Sequence, residues 1–193
     1  MAFRDALPDY LKGYVSFAYK TGWKTEEIES LDWNHVDLKK GVAWIDPGKT
    51  KNDKGKTVYL DDELRDVLSR QWQKRKKPGI LIQYVFPNSF GTNRIKYPYW
   101  HIRKACKQLG LNKILHDFRR TAIRNMVKSG TPERVAMQVS GHKAREVFER
   151  YNIVSHADLR LAAQRQEDYL NSENATISST GGKIRILSDR KRW

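Results

Sequence analysis

Three features inside residues 114–158 have the types and spacing for chemistry. His116 and Arg119 stand three apart, Gly141-His142 follows, and Tyr151 lies nine residues beyond that histidine. A tyrosine hydroxyl, with an ordinary pKa of about 10, is a weak nucleophile at neutral pH. It attacks a phosphodiester only where cations surround the phosphate and hold the charge that builds in the transition state. Arginine suits that task, because its planar fork donates two parallel hydrogen bonds to phosphate oxygens. Histidine adds a donor or a general base. His116 and Arg119, spaced i to i+3 near a helix start, share one face. Each residue alone also has a plainer reading. H-x-x-R can be solvated charge at a helix end, Gly-His a turn, and Tyr151 a core tyrosine with its hydroxyl as a polar handle.

The bulk composition points to a polyanion as partner. The 193 residues carry 37 Lys and Arg against 22 Asp and Glu, a formal charge of +15. Cation-rich proteins are driven onto nucleic acid by counterion release. The single cysteine, Cys106, excludes an intramolecular disulfide and argues against an oxidising compartment. Five scattered histidines and no second cysteine make a structural zinc site a poor reading. There is no apolar run long enough to span a membrane and no apolar signal-peptide core, so a cytoplasmic location is expected.

The elements that must position these residues can be read in order. Leu7, Leu11, Val15 and Ala18 recur at helical spacing up to the break at Thr21-Gly22. Thr25 caps a second helix with Glu26 and Glu27 in its first turn. Val42, Trp44 and Asp46 against Thr57 to Leu60 read as strands, joined by the cationic hairpin loop G-K-T-K-N-D-K-G-K. A helix follows from Glu63 to about Lys76, then a strand-like Ile80 to Phe86. Helices are expected over Tyr97–Leu109 and Asp117–Lys128, then from the start Thr131-Pro132-Glu133, over Ala144–Tyr151 and over Ser155–Leu170. From Asn171 the chain turns to Ser, Asn, Thr and Gly without period and reads as a linker or disordered tail ending in a basic stretch. The class is α+β, mainly α-helical with one small antiparallel sheet.

The order and spacing of His116, Arg119, Gly141-His142 and Tyr151 resemble the tyrosine recombinases, the phage integrase family. Thr21-Gly22-Trp23-Lys24-Thr25-Glu26-Glu27-Ile28 is similar to that family's T-G-x-R-x-x-E-I. The resemblance implies a fold like the catalytic domain of DNA breaking-rejoining enzymes, over about residues 1–171 with 172–193 as a tail. It implies a double-stranded DNA substrate and attack by Tyr151 to give a 3′-phosphotyrosyl intermediate, followed by rejoining. Arg119, His116 and His142 would bind the scissile phosphate. Lys51 would be the hairpin lysine that protonates the departing 5′ oxygen. No metal and no cofactor are implied. Lys49, Lys54, Lys56, Arg120 and Lys143 are expected to contact the DNA backbone.

Lys24 departs from the pattern, standing where the family has arginine. The exchange keeps the charge and loses the fork, so impaired cleavage with retained DNA binding is expected. The family's separate N-terminal core-binding domain is not found in this sequence, and complete enzymes of the family work as tetramers. Two other readings stay open: a DNA-binding module that has lost chemistry at Lys24, and a helix-turn-helix regulator built on Arg134 to Tyr151.

Overall fold

The structure is a computed structural model that describes residues 2–48, 55–77, 80–96, 98–112, 115–151 and 154–179. It divides into two units, residues 1–153 and 154–193. This division falls ahead of the break expected near 171.

The first unit is built around one buried helix. A short α1 (Ala2–Asp5) leads into α2 (Asp9–Thr21), which buries Leu11, Tyr14, Phe17 and Ala18. The spacing of its apolar residues wraps most of the helix, so neighbours cover it on several sides. The Tyr14 and Phe17 rings each meet Phe86, at 6.0 and 5.6 Å, and Phe17 meets Trp23 edge-on at 5.3 Å. Each such fully buried side chain contributes about 1.5–3 kcal/mol over an exposed one. The helix stops at Gly22, whose φ of +65° favours glycine. There the Trp23 amide bonds the Thr21 hydroxyl, and the chain turns into α3 (Thr25–Glu29).

A three-stranded antiparallel sheet follows, with β1 (Val36–Asp37), β2 (Val42–Ile45) and β3 (Lys56–Tyr59) in that order. Its register sets Val36 against Ala43, Ala43 against Val58, and Ile45 against Lys56. Strands β2 and β3 stand where two were expected, with Asp46 and Leu60 just beyond them, and β1 adds a third; the cationic loop between β2 and β3 lies mostly outside the described residues. Helix α4 (Asp62–Lys74) starts at Asp61, whose carboxylate accepts the Leu64 amide. It ends two residues before the expected limit, at a short ladder of β4 (Lys76–Lys77) with β5 (Ile80–Leu81).

Helices α5 (Tyr99–Gln108), α6 (Leu115–Lys128), α7 (Glu133–Ser140) and α8 (Arg145–Glu149) complete the unit. Helix α7 begins at Glu133 with Pro132 at its cap, inside the expected start Thr131-Pro132-Glu133. A second apolar cluster of Ile123, Ala136 and Phe148 locks α6, α7 and α8 together, with Tyr151 packed against it. The fold is thus α+β, mainly helical with a small three-stranded antiparallel sheet beside the two-residue β4–β5 ladder.

The second unit is described by α9 (His156–Ser179). Ser155 and Asp158 close a reciprocal cap at its start, with the Ser155 amide donating to Asp158 at 2.9 Å. The polar stretch from Asn171, expected to be aperiodic, continues this helix through Ser179. Its leucines and Tyr169 are exposed along the helix.

Candidate active site

Helix α6 presents the H-x-x-R pair. Arg119 is 5% exposed, and its position is fixed by two backbone carbonyls. One terminal nitrogen donates to Gly22 O at 2.6 Å and to Ser140 O at 2.7 Å. These carbonyls close α2 and α7, so the guanidinium is held between the two helix ends that reach it. Its other terminal nitrogen faces the His142 ring at 3.0 Å.

His142 leaves α7 through Gly141, whose φ of +74° turns the chain sharply after Ser140. The Ser140 hydroxyl donates to Ala136 O at 2.7 Å, so its oxygen is the acceptor for His142 Nδ1 at 2.8 Å. That assigns the His142 proton to Nδ1 and leaves Nε2 as acceptor towards Arg119. Burial, with Arg119, Lys56 and Lys24 nearby, pushes the His142 pKa down to about 3. The ring is therefore neutral at any working pH until an anion offsets those cations.

His116 reaches the tyrosine. Its Nε2 lies 2.8 Å from the Tyr151 hydroxyl, and the two rings are 5.6 Å apart. Burial and the charges of Arg119 and Arg120 hold the His116 pKa below its ordinary value. A neutral imidazole at that distance can accept the hydroxyl proton. Tyr151 follows α8, which is seated by the fully buried Phe148, and its ring also meets His142 at 5.2 Å.

A cleft of about 1160 Å³ brings these groups together, lined in part by Lys24, His116, Arg119, His142, Lys143 and Tyr151. Lys24 sits at the start of α3, and its charge bears on His142. Arg120 is not among the lining residues and lies over the Tyr151 ring at 5.8 Å. Lys49, Lys51 and Lys54 fall outside the described residues. Lys56 departs from the expected DNA contact. Its ammonium is buried and paired with Glu27 at 2.6 Å, pointing away from solvent.

The cleft also contains residues that were not singled out from the sequence. Arg94 and Lys96 line it together with Tyr99. They flank the buried Ile95, so the alternating R-I-K puts both cations on the outward side. That period-two pattern is the signal that marks them.

The profile of the phage integrase family matches residues 1–157. This chain belongs to that family. The integrase of Salmonella phage P22 is 29% identical over 156 residues, covering 76% of this chain and 40% of that protein. Among solved structures, that of XerA recombinase superposes with a TM-score of 0.71 at 22% identity, covering 86% of this chain and 61% of the other. A lambda integrase dimer bound to a COC′ core site superposes at 0.62 with 16% identity, covering 78% and 45%. These likenesses establish the fold of this integrase-family chain, which spans less than half the length of the P22 protein.

Proposed function

We propose that this chain is the catalytic domain of a site-specific recombinase that cleaves and rejoins double-stranded DNA through Tyr151. The observation that carries the reading is the Tyr151 hydroxyl, 2.8 Å from neutral His116 in the same cleft as Arg119 and His142. The Tyr151 oxygen attacks the phosphorus and its proton passes to His116 Nε2. Arg119, and Lys24 as a point charge, offset the added negative charge on the non-bridging oxygens. The 5′ oxygen leaves with a proton, supplied by Lys51 in this reading, and the DNA stays joined to Tyr151 by its 3′ phosphate. Attack by another 5′ hydroxyl reverses each transfer and releases the tyrosine. The phosphoester bond energy is kept in the intermediate, so the scheme calls on no nucleotide, metal or cofactor.

A phosphate in the cleft would sit beside His142 and lift its depressed pKa, turning the ring into a donor when substrate is present. The double-stranded DNA partner is supported by the charge of +15 and by the similarly folded lambda integrase dimer, which is bound to a COC′ core site. Action as a tetramer on two duplexes, in the cytoplasm, belongs to the same reading. A pool of nicked duplexes with randomised core sequence tests it. Cleavage traps the 5′ fragment, and the chain should yield a denaturation-resistant DNA adduct that Tyr151→Phe abolishes. If no member of the pool is captured, or capture survives that substitution, the proposal fails.

The reading of a DNA-binding module without chemistry differs at one position, Lys24. It predicts binding to the same DNA with no adduct until arginine is restored there.

A further inference from the structure

Lys56 stands at the start of β3 with its ammonium turned into the protein. A buried lysine is costly unless paired and hydrogen-bonded. Lys56 Nζ meets Glu27 Oε2 at 2.6 Å, and the same oxygen accepts the Lys24 amide at 2.6 Å. On its other side Nζ donates to Ser140 O at 3.3 Å, the carbonyl that also receives Arg119 at 2.7 Å. A Cβ at Gly141 would come within 2.6 Å of the Lys56 stem, so the turn into His142 lies directly on this side chain. The Trp23 ring sits 5.8 Å away.

One ammonium thus touches the segment that carries Lys24, the helix end that orients Arg119, and the turn that delivers His142. A buried ion pair adds little net stability over apolar groups of the same volume. Stability alone therefore does not account for a charge at this junction. We propose that Lys56 is a positioning residue for DNA cleavage, holding the Ser140 carbonyl, and through it Arg119 and His142, where one phosphate needs them. The inference rests on the recombinase reading for its catalytic consequence and on geometry alone for its structural one.

The test compares the full chain with Lys56→Arg and with Glu27→Gln/Lys56→Met, which removes both charges of the pair. Hydrogen exchange at the Gly141 and His142 amides reports the turn without any substrate. Adduct formation on a duplex recovered from the randomised pool reports the chemistry. In the double variant the two amides should exchange at least about tenfold faster. The adduct should form about 10- to 100-fold more slowly at saturating DNA, with an unchanged half-saturating concentration. Lys56→Arg, which keeps a donor, should stay within about threefold in both measurements. Unchanged amide protection would overturn the inference, as would an unfolded double variant, which makes the pair a folding requirement. A raised half-saturating concentration at unchanged rate would also overturn it, making Lys56 a DNA contact. If the unaltered chain forms no adduct, the recombinase reading falls while the exchange result still decides the placement role.

Discussion

Arg119 and His142 stand 3.0 Å apart in a half-buried cleft, an arrangement that a charged imidazole would not tolerate. The guanidinium keeps its proton at any accessible pH, so the histidine yields, with a pKa pushed down to about 3. His116 is depressed in the same direction by burial and by Arg119. The folded chain therefore refuses protons that the unfolded chain takes up.

The sign of the pH dependence follows. Two histidine pKa values lie below the unfolded value of about 6.5, so their contribution is complete above that pH. It is lost as pH falls towards about 3. The melting temperature should drop by several degrees between about pH 7 and pH 4, and the drop should be smaller in His142→Asn. Calorimetry across that range checks it. An NMR titration should place free His142 far below an ordinary imidazole and should move it upward on addition of duplex DNA.

Lys24→Arg restores a bidentate fork at a position whose charge already acts on the site. Single-turnover cleavage at saturating DNA should rise about tenfold or more, while DNA affinity changes less than about threefold because the charge is unchanged. A variant that cleaves no faster means that lysine suffices here.

Phe148 is fully buried and seats the short helix that leads to Tyr151, with its ring 5.8 Å from His142. Phe148→Ala removes that wedge from the cluster it forms with Ile123 and Ala136 among the described residues. It should cost about 3–5 kcal/mol of unfolding free energy. At temperatures where the variant remains folded, adduct formation should slow as well, since the tyrosine loses its seat. Urea denaturation and single-turnover kinetics measure the two effects.

Arg94 and Lys96 line the same cleft as Tyr151. Replacing each with alanine should weaken DNA binding at all sequences and lower the log–log salt slope by about one per residue. The cleavage rate at saturating DNA should stay within about twofold. A fall in that rate instead would place these cations at the reacting phosphate.

Much of this was legible before any coordinates. The helix of Leu11, Val15 and Ala18, the hairpin strands and the H-x-x-R helix all show periodicity, because their apolar residues recur where each element packs. By composition Lys56 is indistinguishable from the loop cations around it. Strand alternation held the correction, since Lys56 shares the inward face with Val58 while Thr57 and Tyr59 face out. The extent of α9 is not legible, because the sequence beyond Asn171 carries no apolar stripe that would mark a helical period. The meeting of Arg119 with Gly22 O and Ser140 O could not be read either. It depends on how two helix ends converge, which no local pattern encodes.

The most direct test of the central claim is peptide mapping of the covalent complex by mass spectrometry. Digestion of the trapped adduct should return the nucleotide remnant on the Tyr151 peptide alone, joined through a 3′ phosphate. A remnant on another residue, or linkage through a 5′ phosphate, would contradict the account.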